Sequence, residues 1–289
     1  GSPRQPLAGQ SGAEGTRKSL AENAENAEIP RRLRRARGSA IRRSPTPNRL
    51  PHYRKYRKIV MRYRAVLFDV GGPLDLEFAW EIAVDGAIAT ACGLEGIRVA
   101  PAMIEEASEA AVAAFAPDAY AHMVETLCGG DPQTIERVHQ RVRAMVGNLD
   151  VFQLRPEIDG LLRRLREHGL KLGIVANQPQ TARERLACAG IGDLLDYHGL
   201  SGLTGLRKPD PRAFLAAAEA LGVLPAACIM VGDRIDNDIA PAKALGMAAV
   251  LLRSGRHRRQ RPRSPADEPD AVVTDVLELE EAILTLLGQ

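Results

Sequence analysis

Four positions in this 289-residue chain have the residue types and surroundings of reacting groups. Asp69 follows the apolar run Ala65-Val66-Leu67-Phe68 and precedes Val70-Gly71-Gly72-Pro73. Asn177 follows Ile174-Val175-Ala176. Lys208 lies in Arg207-Lys208-Pro209-Asp210-Pro211. Asp233 ends Ile229-Met230-Val231-Gly232, with Asp236 and Asp238 close behind. Carboxylates, one lysine and glycine-rich turns suit a divalent metal ion and a phosphate. Mg²⁺ takes oxygen ligands and shares them with waters and phosphate. Lysine supplies a point charge for the anion. The backbone N–H groups of a Val70-Gly71-Gly72 turn can cradle its oxygens. Taken singly, an aspartate after a strand is more often a helix cap, and a loop lysine is more often solvated. The weight lies in the order, the spacing and the shared position behind apolar runs.

Those runs are the elements that must position the set. Short apolar stretches ended by glycine or proline read as buried strands. They fall at 65–70, 170–176, 197–200, 228–231, 248–252 and 271–273. Helical patterns separate them: from Pro156 through Ile158, Leu161, Leu162 and Leu165, then 181–189, 211–221, 237–245 and 276–287. Alternating strands and helices predict an α/β fold, a Rossmann-like three-layer parallel sheet covered on both faces. Right-handed crossovers place all strand C-termini on one edge, where ligands bind in such sheets.

Residues 77–155 break the alternation and read as helix alone. Phe78, Ile82, Ala83 and Ile88 suggest one amphipathic helix. Pro101 opens a second, through Ile104, Ala107, Ala111 and Phe115. Asp131-Pro132 is an N-cap and N1 pair for a third, with Ile135, Val138, Val142 and Met145 on one stripe. The expected organisation is a leader over 1–60, core over 61–76, an all-helical insertion over 77–155, and core again over 156–289.

Charge separates the leader from the rest. Residues 1–64 hold 17 Lys/Arg and 4 Glu, a net +13, so residues 65–289 carry −10 within the chain's overall +3. The leader has low hydrophobicity, repeated Ala-Glu-Asn, an arginine cluster over 31–37 and Ser44-Pro45-Thr46-Pro47, which argue for disorder. Clustered arginine attracts phosphate without sequence preference, so any contact with nucleic acid is expected through the leader alone. No apolar stretch approaches a membrane span, and none follows the N-terminal arginines as a secretory signal would require. The cysteines Cys92, Cys128, Cys188 and Cys228 are scattered, without a Cys-x-x-Cys pair, and are expected as free thiols in the cytoplasm. No pattern in the chain specifies an oligomeric state.

Over residues 65–287 the chain resembles the haloacid dehalogenase-like hydrolase superfamily, in its helical-cap subgroup. The resemblance rests on Phe68-Asp69-Val70-Gly71-Gly72-Pro73-Leu74, Ile174-Val175-Ala176-Asn177, Lys208-Pro209, and Val231-Gly232-Asp233 through Asn237-Asp238. The insertion matches the family's cap in its place after the first motif. The resemblance implies Asp69 as nucleophile, forming an aspartyl-phosphate in phosphatase members, and Lys208 steadying it. It implies phosphate contacts from Val70, Gly71, Gly72, Asn177 and Lys208. It implies Mg²⁺ held by Asp69, the Gly71 carbonyl and Asp233, with Asp238 assisting or orienting Lys208. It also implies a small anionic metabolite as substrate.

The chain departs from that pattern at three positions. Phosphatase members usually carry a second aspartate two residues after the first, the general acid and base; here it is Gly71. The usual Thr or Ser of the second motif is Ala176, and the usual Thr of the first is Pro73. General acid–base help is worth about 10²–10⁴-fold. Three readings follow: a Mg²⁺-dependent phosphatase, slow unless another group supplies the proton, with Asp75, Asp85, Asp118 and His122 as candidates; a metal-independent 2-haloacid dehalogenase, since such members also lack the second aspartate; or a catalytically impaired binding or regulatory protein. The run Arg253–Arg263 leaves the sheet at the site edge. It reads as a solvated basic loop or as a selector of anionic substrates through Arg256, Arg258 and Arg259.

Overall fold

The computed structural model describes residues 62–288. The leader expected over 1–60, with its disorder and any affinity for nucleic acid, lies outside the described residues. Six strands form one parallel sheet: β1 (Ala65–Phe68), β2 (Lys171–Ala176), β3 (Tyr197–Leu200), β4 (Cys228–Gly232), β5 (Ala248–Leu252) and β6 (Ala271–Val273). Their order is β3-β2-β1-β4-β5-β6. Register places Phe68 between Ile174 of β2 and Val231 of β4. Successive strands move outward from β1 on one side and from β4 on the other. The β1–β4 boundary is therefore the switch point at which an open α/β sheet forms its crevice.

Alternate strand residues feed two apolar layers. Val66, Phe68, Leu172, Ile174, Ile229, Val231, Val250 and Leu252 belong to one. Ala65, Leu67, Val175, Met230, Ala249 and Leu251 belong to the other. Because both faces are covered, the strands read as continuous apolar runs.

The first four of the five helices between β1 and β2 are α1 (Phe78–Leu94), α2 (Pro101–Ala113), α3 (Ala119–Leu127) and α4 (Pro132–Val146). They share an apolar cluster of their own, built from Val84, Ile88, Cys92, Ala107, Ala111, Met123, Val138 and Val142 among others. Asp131 caps α4 by accepting from the Thr134 N–H at 2.9 Å, with Pro132 behind it, as its sequence indicates. α3 carries no sequence signal of comparable strength. The stripe expected on α1 is partly wrong. Phe78 and Ile82 are 64% and 57% exposed, while Val84, Ala87, Ile88, Ala91 and Cys92 face inward. Met145 is also exposed, and Val146 is buried in its place.

The fifth, α5 (Ile158–Glu167), leads into β2, and after β2 the helices are α6 (Ala182–Cys188), α7 (Ser201–Thr204), α8 (Pro211–Ala220), α9 (Ala240–Ala244) and α10 (Val276–Leu287). The side chains of α5, α6 and α10 enter the first layer, those of α8 and α9 the second. The helix expected over 237–245 starts instead as a wide turn, Ile235–Ile239, in which the Ile239 N–H reaches back to the Arg234 carbonyl at 3.2 Å. No helix among the described residues is long and apolar enough to cross a membrane.

The two segments joining the insertion to the sheet are bonded to each other. The Leu76 N–H donates to the Gln153 carbonyl at 3.0 Å, and the Arg155 N–H donates to the Leu74 carbonyl at 2.8 Å.

Candidate active site

Asp69 leaves β1 at its C-terminal end, and its N–H donates to the Val231 carbonyl of β4 at 2.9 Å. That bond fixes the backbone from which its carboxylate enters the switch-point crevice. The Val70 N–H donates to Asp69 Oδ1 at 2.7 Å, and Lys208 Nζ sits 2.8 Å from Oδ2. The chain then turns sharply, with the Leu74 and Asp75 N–H groups both donating to the Val70 carbonyl. Gly72 in this turn has φ +80°, and a Cβ there would lie 2.9 Å from Asp233 Cβ, so the turn and the close approach both need glycine. Arg155 braces it, donating to the Gly72 carbonyl at 2.7 Å and to Ser254 Oγ at 2.6 Å.

Lys208 is buried between two carboxylates, with Nζ 2.6 Å from Asp238 Oδ1 besides its contact with Asp69. Burial works against its charge, but Asp238 and Asp69 outweigh it and hold the ammonium above the ordinary lysine range. Asn177 clamps the lysine's main chain: its Nδ2 donates to the Lys208 carbonyl at 2.9 Å and its Oδ1 accepts the Lys208 N–H at 2.8 Å. Both amide atoms are thereby committed to positioning Lys208. Asp238 is fully buried, and its second oxygen accepts the Arg234 N–H at 3.0 Å. Burial pushes its carboxyl up to about 6, against the pull of Lys208. Burial likewise raises Asp69, with Lys208 opposing and Asp233 adding to the rise.

Asp233 follows β4, is buried, and accepts no hydrogen bond from any described residue; His257 Nδ1 lies 3.7 Å from its Oδ2. Oxygens of Asp69, Asp233 and Asp238 all lie within 4.8 Å of one another. Three carboxylates facing one ammonium leave two negative charges, and one carboxylate lacks a donor altogether. Such an oxygen set fits a hard divalent cation. Asp233 is the residue freest to hold an ion; Asp69, which like Asp238 has a donor on each oxygen, is the more open of those two, at 14% side-chain exposure against 0%.

A cleft of about 250 Å³ opens over these groups, walled on the insertion side by Glu77, Trp80, Glu81, Asp118 and Tyr120. Glu77 has no counterpart among the sequence-predicted residues. Burial, followed by the charges of Asp233, Asp69, Asp75 and Glu81, drives its carboxyl well above the usual carboxylate range. Of the four acid candidates named from sequence, three have other commitments and the fourth lies away from the cleft. Asp75 accepts the Glu77 and Gln153 N–H groups, Asp85 pairs with Arg256 at 2.7 Å, and Asp118 caps α3 through the Ala121 N–H. His122 lies on α3 outside the residues that line the cleft.

The arginine run is not a uniformly solvated loop. The Arg256 side chain is 5% exposed, its guanidinium bound to Asp85 and Ser108 and stacked 4.8 Å from the Tyr120 ring centre, while its N–H donates to Glu81. Arg259 pairs with Glu109. Gln260, buried, accepts the Ile235 N–H at 2.6 Å and donates to Asp236 at 3.0 Å, bracing the turn that carries Asp238. The run thus grips the insertion and the Asp238 turn through uncharged and acidic partners. Arg258 does neither among the described residues: its guanidinium reaches the Gly255 carbonyl at 3.0 Å, within its own loop.

Comparison with known proteins bears on the whole arrangement. The family model described as haloacid dehalogenase-like hydrolase matches residues 63–246. A glyceraldehyde 3-phosphate phosphatase from Methanopyrus kandleri is 36% identical over 132 residues, which are 45% of this chain and 57% of that one. A phosphoserine phosphatase from Thermus thermophilus is 35% identical over 152 residues, 52% of this chain and 58% of that one. The chain thus spans a little over half the length of these relatives. The crystal structure of a predicted phosphoglycolate phosphatase from Haemophilus somnus superposes with a TM-score of 0.60 at 21% identity, covering 78% of this chain and 99% of that one, and shares the fold. Six parallel strands in this order, a carboxylate–lysine–carboxylate cluster at the switch point and a matched family model over most of the described residues lead to one assignment: the chain belongs to the haloacid dehalogenase-like hydrolases.

Proposed function

We propose that the chain is a Mg²⁺-dependent phosphatase of a small phosphorylated metabolite, working through an aspartyl-phosphate on Asp69. The observation that carries this reading is Lys208 Nζ held 2.8 Å from Asp69 and 2.6 Å from Asp238, beside a buried Asp233 that lacks a donor. Phosphoryl transfer needs positioning and charge neutralisation more than covalent chemistry from the protein. Lys208 supplies a fixed positive charge for the transferring phosphoryl group and keeps Asp69 aimed into the cleft. A bound Mg²⁺ would neutralise charge on the phosphoryl oxygens, and Asp69, Asp233 and the Gly71 carbonyl would hold it. The backbone N–H groups of Val70, Gly71 and Gly72 would supply donors to the phosphate oxygens. The curated names of the relatives, both phosphatases of small phosphomonoesters, support this substrate class.

The insertion serves as a cap over the cleft, contributing its wall of Glu77, Trp80 and Tyr120 and limiting the substrate to a size the cleft accepts. We place the protein in the cytoplasm, in keeping with the free thiols of Cys92, Cys128, Cys188 and Cys228.

The test is hydrolysis of p-nitrophenyl phosphate with and without Mg²⁺. Turnover is expected only with the metal, and Asp69→Asn is expected to fall to background while keeping the wild-type melting temperature. Chloride release from 2-chloropropionate in the absence of metal would replace this reading by dehalogenation. Inactivity on both substrates would leave the binding-protein reading standing.

A further inference from the structure

An alkoxide cannot leave phosphorus readily at neutral pH without a proton, and the water that later attacks the phosphorylated aspartate must lose one. The proposed phosphatase therefore needs a proton carrier beside Asp69, and residue 71 has no side chain. The acidic groups lining the cleft can be sorted by their partners. Asp69 is the nucleophile. Glu81 accepts the Arg256 N–H, and Asp118 caps α3. Asp233 belongs to the metal set. Glu77 is left, and its carboxyl accepts no hydrogen bond and forms no ion pair among the described residues.

Its location is specific. A Cβ built on Gly71 would overlap the Glu77 carboxyl, with Oε2 at 2.9 Å and both Oε1 and Cδ closer still. Glu77 thus fills the space into which a side chain at position 71 would project, two residues beyond the nucleophile. The backbone directs it there. Glu77 has φ +55°, a left-handed conformation uncommon outside glycine, at the residue just before α1. Its N–H is held by Asp75 Oδ1 at 3.2 Å, and the preceding Leu76 N–H by the Gln153 carbonyl. Its side chain leaves the first turn of α1 uncapped and turns back to the sheet edge.

We propose that Glu77 is the general acid and base of this enzyme, supplied from the start of α1 in place of the position that usually carries it on the first motif; this rests on the phosphatase reading above. In the first half, an Asp69 carboxylate oxygen bonds to phosphorus as the bond from phosphorus to the leaving oxygen breaks, and the Glu77 O–H proton passes to that oxygen, releasing the alcohol. In the second half, Glu77 carboxylate takes a proton from water as the water oxygen bonds to the same phosphorus. The bond from phosphorus to Asp69 breaks with its electron pair returning to the carboxylate. Inorganic phosphate departs and Glu77 is again protonated. The net change is hydrolysis of one phosphomonoester.

The experiment uses the full chain with Mg²⁺ and two probes, p-nitrophenyl phosphate, whose leaving group needs little protonation, and glycerol 2-phosphate, whose leaving group needs it. Glu77→Gln is expected to lower turnover of glycerol 2-phosphate about 10²–10⁴-fold. With p-nitrophenyl phosphate the same variant should give a stoichiometric burst followed by slow turnover, with phosphorylated Asp69 trapped by acid quench and seen by mass spectrometry. The Mg²⁺-induced rise in melting temperature should persist. The double variant Gly71→Asp/Glu77→Ala, which returns a carboxyl to position 71, should regain turnover of glycerol 2-phosphate over Glu77→Ala. Unchanged kinetics in Glu77→Gln, equal losses on both probes without trapped phosphoenzyme, or loss of the Mg²⁺ effect on melting would each overturn the assignment while leaving the phosphatase reading intact. Absence of wild-type turnover on both probes would overturn the phosphatase reading and this assignment together.

Discussion

Lys208→Met is expected to cost about 3–5 kcal/mol of stability, the usual consequence of removing one member of a buried ion pair, and to reduce phosphatase turnover to background. The lysine side chain is 1% exposed and its ammonium touches Asp69 and Asp238 together. Methionine keeps most of the stem's volume, so the loss is one of charge rather than packing. Without the ammonium, the fully buried Asp238 carboxylate is left without its cation, facing Asp69 at the floor of the cleft. Urea denaturation of Lys208→Met, Asp238→Asn and the double variant forms a cycle that isolates the pair. The double variant should be more stable than Lys208→Met, because the second substitution removes the charge that the first leaves stranded. The sign of the pH effect follows. Burial already lifts Asp238 from an ordinary 3.8 to about 6. A carboxyl raised on folding adds stability while protonated and loses it as pH rises through the folded value. In Lys208→Met the two carboxyls are raised further, so this variant should gain stability relative to wild type as pH falls from 7 towards 4. A constant difference across that range would mean that the carboxylates had found another cation.

The second large effect is expected at a residue with no functional group. Gly232 ends β4, and a Cβ built on it would fall well inside contact distance of Cβ, Cγ and Oδ2 of Asp238. Asp238 cannot retreat, being fully buried and bonded to Lys208 on one oxygen and to the Arg234 N–H on the other. Gly232→Ala should therefore displace the aspartate and with it the ammonium beside Asp69. Overpacking of this kind costs about 1–3 kcal/mol. A displacement near 1 Å at reacting groups can lower turnover by about 10²-fold, so activity should suffer more than stability. Gly86→Ala is the control. Gly86 lies in α1 with nothing within 4 Å of its added Cβ, and alanine there should stabilise the helix by about 0.5–1 kcal/mol. Urea midpoints for the two variants should thus move in opposite directions, and kcat should fall in Gly232→Ala alone.

The parts of the molecule that sequence reveals are those written in adjacent residues. β1, β4 and β5 are buried on both faces, so Ala65–Phe68, Cys228–Val231 and Ala248–Leu252 are apolar without alternation and stand out from their surroundings. Asp69 and Asp233 are legible for the same reason, each being the first carboxylate after such a run. Lys208 and Asp238 are legible through their place behind the later strands. α1 is harder, because its apolar residues lie on nearly every side. Val84, Ile88 and Cys92 face inward through their neighbours' shapes, while Phe78 and Ile82, larger and equally apolar, do not. Glu77 is invisible by any periodicity. Its position comes from a left-handed residue and from bonds to Gln153, 76 residues beyond it in the chain, and nothing nearby distinguishes it from Asp75. Arg155 is hidden in the same way, and so is the bracing role of Arg256, which the sequence offers only as a selector of anions: their partners Gly72, Ser254, Asp85 and Ser108 are all distant in sequence.

The paired segments at Leu76 and Gln153 have a bearing on how such a protein can be recombined. They bring the two seams of the insertion within one hydrogen bond of each other, so residues 77–153 can be exchanged for another helical module through a single narrow junction. Such an exchange leaves Asp69, Lys208, Asp233 and Asp238 in place, since all four belong to the sheet side. It removes Glu77. A chimera made at these seams inherits its nucleophile from one parent and the carboxyl beside Gly71 from the other, and a donor module lacking an acid at its first residue would need Gly71→Asp as a companion change.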